Sequence, residues 1–140
     1  MAYKKLLLPF DGSDNAKMAC AHAIDLAKAG DMRVVLLYCY GELPAVISGT
    51  TRDEILAASE AEGRRIIEPA ARLCEDSGVV CEGMVHGGNP GRTIITVAQA
   101  EGCDCIVMGS RGLSDFSGMV MGSVAHRVLR HAAVPVLIVR

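Results

Sequence analysis

A chain of 140 residues fits one domain and is long enough to bury roughly 70% of its unfolded surface, so a proper hydrophobic core is expected. Charged residues make up 21% of the chain and the formal net charge is −2. That balance gives no global field for nucleic acid or an anionic membrane surface, and neither is expected as a partner.

The opening run Met1-Ala2-Tyr3-Lys4-Lys5-Leu6-Leu7-Leu8-Pro9 is basic and then apolar, but Pro9 and Asp11 cut it short of a signal-peptide core. No span approaches the roughly 20 apolar residues of a transmembrane helix. A cytoplasmic location is expected, and with it six free thiols, because a chain this size needs no disulfide staples in a reducing compartment.

Leu6, Leu7 and Leu8 form a continuous apolar run, which suits a strand buried on both faces of a parallel sheet. Asp11-Gly12-Ser13 turns the chain. Ala16, Ala19, Cys20, Ala23, Leu26 and Ala27 then recur at helical spacing, with Ser13 as N-cap and Gly30 as the stop. Residues 33–40 read as a second buried strand around Val34, Val35, Leu36 and Leu37. Residues 41–52 lack periodicity and contain Pro44 and Gly49, which predicts a loop.

Residues 53–77 return to a helical pattern, with Pro69 expected to bend or interrupt it and Gly78 to end it. A third strand spans 79–85, where Glu82 and Gly83 suggest a more exposed position. His86-Gly87-Gly88-Asn89-Pro90 reads as a turn, and residues 93–100 as a short helix turning Ile94, Val97 and Ala98 inward. A fourth strand spans 104–108. Residues 123–132 form the last helix, with Arg127, Arg130 and His131 near its negative end, and residues 134–139 close as a fifth strand. Strands alternating with helices imply a parallel sheet with right-handed crossovers and helices on both faces.

The fourth strand runs through Met108 into Gly109, Ser110, Arg111 and Gly112; after nine more residues come Gly122 and Ser123. Glycines have no Cβ and let backbone N–H groups converge on an anion, and Ser123, a good N-cap, would aim the positive end of a helix at the same point. This is the layout of a phosphate cradle, although a plain helix-entry loop uses the same residue types and the spacing fits neither the P-loop nor the dinucleotide fingerprint. Arg111 reads either as a phosphate or ribose contact or as a solvent-facing loop arginine. Asp11 reads either as an Asx-turn acceptor or as a carboxylate for ribose hydroxyls or a divalent ion.

Those glycines, the opening Lys4-Lys5-Leu6-Leu7-Leu8-Pro9-Phe10-Asp11-Gly12-Ser13, the central Gly88-Asn89-Pro90 and the closing Val134-Pro135-Val136-Leu137-Ile138-Val139 together resemble the ATP-binding branch of the universal stress protein family. The likeness covers essentially the whole chain. It implies an α/β fold, an open Rossmann-like parallel sheet of five strands in the order 3-2-1-4-5, with the ligand beyond the carboxyl ends of the first and fourth strands. It implies ATP as the ligand, with Mg2+ or Mn2+ as a possible companion ion. Pro9, Phe10 and Asp11 would lie beside the nucleotide, and the backbone at Cys39 would meet the base. Met108, Gly109, Arg111, Gly112, Gly122, Ser123, Val124 and Ala125 would complete the site.

Many nucleotide-binding members carry serine or threonine where this chain has Ala125, which removes one hydroxyl contact. Asp115 adds a negative charge to the loop. Met108, Met119 and Met121 either adapt to an adenine ring or fill gaps. Cys103 and Cys105 lack a second ligand pair and read as core residues rather than zinc ligands. His22, His86, His126 and His131 show neither a metal pattern nor a triad neighbourhood.

The function implied by the resemblance is an ATP-binding stress-response regulator whose nucleotide occupancy changes dimer or partner contacts. A slow ATP hydrolase and a nucleotide-free dimeric interaction module are the alternatives. The apolar closing strand, with Pro135 near its start, suits a sheet edge that a second copy would cover as a homodimer.

Overall fold

Every residue of the Leu6-Leu7-Leu8 run is completely buried, because the strand that carries it is covered on both faces. The protein is represented by a computed structural model, which describes residues 2–112 and 121–140. Its elements are β1 (Lys5–Pro9), α1 (Asp14–Gly30), β2 (Arg33–Tyr40), α2 (Gly49–Asp76), β3 (Cys81–Gly87), α3 (Pro90–Ala100), β4 (Cys105–Gly109), α4 (Ser123–His131) and β5 (Val136–Val139). The five strands form one parallel sheet in the order β3-β2-β1-β4-β5, as the resemblance implied.

Strand alternation splits the core in two. Leu6, Leu8, Val34 and Leu36 point to one face and pack with Ala19, Cys20 and Ala23 of α1 and Ile67 and Cys74 of α2. Leu7, Val35 and Leu37 point to the other and pack with Ile94 and Val97 of α3 and Ala125 and Val128 of α4. β3, at one edge, is mostly half-buried, as Glu82 and Gly83 suggested.

Several boundaries differ from the sequence expectation, each for a local reason. α1 stops at Gly30 as expected, but the left-handed cap is the next residue: Asp31 takes φ 51°, which aspartate tolerates, and its N–H bonds the carbonyl of Ala27. α2 begins at Gly49, so residues 49–52 are helical and not loop. Its first turn is largely exposed and has no apolar stripe to read, and Arg52 ties it down by donating to the carbonyl of Ile47 at 3.2 Å. The helix also continues through Pro69. Pro69 and Arg65, whose carbonyl the proline cannot bond, both lie on the exposed side, where the freed carbonyl is not buried without a partner.

β3 is shifted to Cys81–Gly87, so His86 and Gly87 pair with β2 instead of turning, while Val79 closes the end of α2 through its N–H bond to the carbonyl of Cys74. α3 starts earlier than expected, at Pro90, because Asn89 caps it by accepting the Arg92 N–H at 3.0 Å. The fourth strand starts at Cys105, and the fifth is shorter than read, at Val136–Val139. No described helix is long and apolar enough to cross a membrane.

Candidate functional site

β1 and β4 are neighbours in the sheet but their following connections diverge, β1 into α1 on one face and β4 towards α4 on the other. A crevice at such a switch point is a geometric consequence of the topology. The chain places there a cleft of about 260 Å³.

Its floor begins at the end of β1. Phe10 is buried and its N–H bonds the carbonyl of Leu37 at 2.8 Å, which carries β1 one step past Pro9. Gly12 then takes φ 82°, a left-handed turn that a side chain would strain. The turn is closed from both sides: Asp11 Oδ1 accepts the Ser13 N–H at 2.9 Å, and Ser13 Oγ accepts the Ala16 N–H at 3.1 Å as the N-cap of α1. The Asx-turn reading of Asp11 is thus realised, and Asp11 lines the cleft as well.

The opposite wall comes from β4. Met108, Gly109, Ser110, Arg111 and Gly112 line it in sequence. Their backbone path is set by Asn15, a buried residue of α1. Asn15 Oδ1 accepts the Arg111 N–H at 2.7 Å and the Ser110 hydroxyl at 3.3 Å, while Nδ2 donates to the carbonyl of Val139 at 3.1 Å. Gly109 lies so close that a Cβ there would sit 2.6 Å from Asn15 Oδ1. Close approach to Asn15 is therefore what requires glycine at this point.

Asn15 was not singled out from the sequence. The signal was present: an amide on the same helical face as Ala16, Ala19 and Ala23, where a buried polar group must find partners.

At the far side, the Ser110 carbonyl accepts the Gly122 N–H at 2.6 Å and so fixes the start of α4. Gly122, in extended conformation (φ −77°, ψ 165°), is the N-cap, and Ser123 is the first helical residue; the expectation that Ser123 caps the helix is corrected. Glycine supplies no side-chain acceptor here, so the amides of the first turn lack helical partners. Val124 and Ala125 line the cleft, whereas Gly122 is buried behind it and exposed Ser123 is not among the residues that line it.

Leu37, Tyr38 and Cys39 at the end of β2, with Ile94 of α3, complete an apolar wall. Burial pushes the Cys39 thiol up to about 12, so it stays protonated and neutral at ordinary pH. Cys39 is half-buried on this wall, not a fully buried core residue. Of the methionines near the loop, Met108 lines the cleft and Met121 packs into the core cluster under α3 and α4; Met119 and Asp115 lie outside the described residues.

The site residues expected from the sequence therefore converge. Pro9, Phe10, Asp11, Cys39, Met108, Gly109, Arg111, Gly112, Val124 and Ala125 surround one cavity, whereas Gly122 and Ser123, expected in the same site, start α4 without lining it. Among the described residues, no group of three or more His, Cys, Asp or Glu side chains is arranged to hold a metal ion. The arrangement offers an apolar wall for a flat ring at one end and a glycine-bordered helix start for an anion at the other.

Comparison with known proteins establishes the family and the fold. A family model described as the universal stress protein family matches residues 2–140. Universal stress protein YxiE of Bacillus subtilis is 34% identical over 147 residues, covering 99% of this chain and 99% of its own. The solved structure of protein MJ0577 of Methanocaldococcus jannaschii superposes with a TM-score of 0.90 at 29% identity, over 99% of this chain and 96% of that one. A universal stress protein solved in complex with cAMP shares the fold, with a TM-score of 0.76 at 24% identity over 100% and 99% of the two chains.

Proposed function

Because this chain belongs to the universal stress protein family, we propose that its cleft binds an adenine nucleotide, ATP foremost, and that occupancy regulates contacts with a second copy or with another protein. The observation that carries the reading is the cleft itself: an apolar wall at Leu37–Cys39 faces, across one cavity, a glycine-bordered strand end and the start of α4, whose Gly122 cap brings no side-chain acceptor. The base fits against the wall and the phosphates against the amides of Val124 and Ala125, where the helix dipole favours negative charge. Arg111 is the basic side chain on the described lining of the cleft. A same-fold universal stress protein that holds cAMP supports the ligand class.

A magnesium or manganese ion would arrive with the polyphosphate and be held mainly by its oxygens, with Asp11 the carboxylate on the described lining. Asp11 already spends one oxygen on the Ser13 N–H. That engagement suits a binding module better than an enzyme needing a free base.

The dimer we propose uses β5. It is the outer strand beyond β4, and Leu137 at its centre is 44% exposed. An antiparallel copy of the same strand would satisfy the outer backbone groups and cover that side chain.

The test is mass spectrometry of ligands retained after gentle purification, followed by calorimetry with ATP, ADP and AMP and a phosphate-release assay. Retained adenine nucleotide without phosphate release is expected, with affinity falling when a chelator removes divalent ions. Absence of measurable binding to all three nucleotides overturns the reading, and steady phosphate release replaces it with a hydrolase.

A further inference from the structure

The two edges of the sheet, β3 and β5, are finished differently. Along β3 the even-numbered positions bond β2: Val34 donates to the carbonyl of Val80 at 2.9 Å at one end, and Gly88 donates to the carbonyl of Tyr40 at 3.0 Å at the other. With the register running from Val34↔Cys81 to Tyr40↔Gly87, the backbone groups of Cys81, Gly83 and Val85 point away from the sheet, along its edge. Such a row of outward donors and acceptors is a template for another strand. Over its seven residues β3 carries one carboxylate, Glu82, to discourage that pairing.

The Gly83 carbonyl, in the middle of the row, is engaged. Arg64 of α2 donates to it through Nη1 at 2.8 Å, and its Nε donates to Glu60 Oε1 at 3.1 Å, one turn earlier on the same helix. Two glycines make this reach possible. A Cβ at Gly63 would lie 2.7 Å from both Tyr38 Cδ1 and Val85 Cγ1, and one at Gly83 would lie 2.8 Å from Ile67 Cδ1. Without those atoms α2 settles close onto β2 and β3, and Arg64, the residue after Gly63, arrives beside the edge strand with its side chain still 54% exposed. A surface ion pair of this kind adds little to stability. Its placement is what distinguishes it: the guanidinium fills an acceptor that an incoming strand needs, and that strand would have to strip water from a charge to displace it.

We propose that Arg64 closes the β3 edge and so prevents a second copy of this chain from joining the sheet there as an antiparallel β3 pair. The consequence for assembly follows from symmetry. Two-fold pairing through one edge makes a closed dimer, whereas two-fold pairing through both edges links chains without end. With β3 closed, self-association through β5 stops at two chains. The inference is independent of the cleft and of what fills it.

The experiment compares the wild type with Arg64→Ala and Arg64→Lys by sedimentation over a range of micromolar concentrations. Hydrogen exchange across residues 81–87 is followed alongside by mass spectrometry with fragmentation to single residues. Alanine keeps the helix and removes the guanidinium, while lysine keeps a cationic donor. Arg64→Ala is expected to reach at least about twice the wild-type mass, rising with concentration, with the outward N–H groups of Gly83 and Val85 exchanging more slowly than in the wild type. Arg64→Lys should sediment as the wild type does. A folded Arg64→Ala of wild-type mass overturns the proposal, and so does a mass increase without slower exchange at Gly83 and Val85, which puts the new contact elsewhere. Loss of helix in Arg64→Ala by circular dichroism also overturns it, because Arg64 would then be holding α2 in place rather than closing an edge. The wild-type mass tests the β5 dimer and the ratio of variant to wild type tests Arg64, so the two readings fail separately.

Discussion

Replacing Asn15 by alanine tests whether one amide holds the cleft together. The side chain makes three contacts: with the Arg111 N–H at 2.7 Å, the Ser110 hydroxyl at 3.3 Å and the Val139 carbonyl at 3.1 Å. The Val139 carbonyl keeps a second donor, the Ser110 N–H at 2.8 Å, so its loss is small. The Arg111 N–H and the buried Ser110 hydroxyl lose their acceptor, and an unsatisfied buried polar group costs about 1–3 kcal/mol, less where water reaches it as it can beside exposed Arg111. Adding the space left against Gly109, Asn15→Ala is expected to destabilise by about 2–3 kcal/mol, a fall in Tm of roughly 6–12 °C for a domain of this size. Urea unfolding with an unchanged slope gives the number, and calorimetry with ATP should show weaker binding, since the Arg111 backbone is no longer aimed. A loss below about 0.5 kcal/mol, within the range of ordinary surface substitutions, would refute the clip.

Gly122→Val places a branched side chain where the start of α4 is bonded to the Ser110 carbonyl, and should reduce ATP affinity by at least about tenfold while the fold survives; binding within about twofold of wild type in calorimetry removes α4 from the phosphate site. Leu137→Glu should turn a homodimer into monomer or aggregate, read by sedimentation; a wild type that sediments as a monomer at micromolar concentration ends the β5 dimer argument. Asp104 accepts the N–H groups of Lys4 and Lys5 at 2.7 and 3.0 Å, which holds its carboxyl below the usual carboxylate range. A depressed folded-state value means stability present above the unfolded value and lost as pH falls through the folded one. Asp104→Asn should therefore be less stable than wild type near neutrality, with the gap closing in strong acid; a gap independent of pH would be the wrong outcome.

The layered fold was legible because its central strands are apolar on both faces: Leu6-Leu7-Leu8 and Val34-Val35-Leu36-Leu37 are buried almost without exception. The glycine loop left a residue-type trace of the cleft, while the family resemblance, not residue type, put Pro9, Phe10 and Asp11 beside it. What escaped were features whose evidence lies in a distant partner. Asn15 looks like any helix-start amide until residues 110, 111 and 139 are beside it. The start of α2 escaped because an exposed first turn needs no apolar stripe, and the α4 cap because serine next to glycine reads as the better cap. Pro69 was tolerated because the helix side it faces is wet, which periodicity around Ile66, Ile67 and Ala70 hints at but does not decide.

The Val139 carbonyl receives both the Ser110 N–H and the Asn15 amide, joining residues 124 positions apart. Translation proceeds from the other end. While a ribosome still holds the last strand, α1 and the first three strands can assemble, but the turn after β4 has no acceptor at Ser110 and Asn15 has nowhere to send its donor. The pocket is thus completed only once β5 has emerged, and a nascent chain cannot draw on the proposed nucleotide for stability before then. A stalled chain ending before Val136 should accordingly show protected amides in β1 and β2 and an unformed pocket.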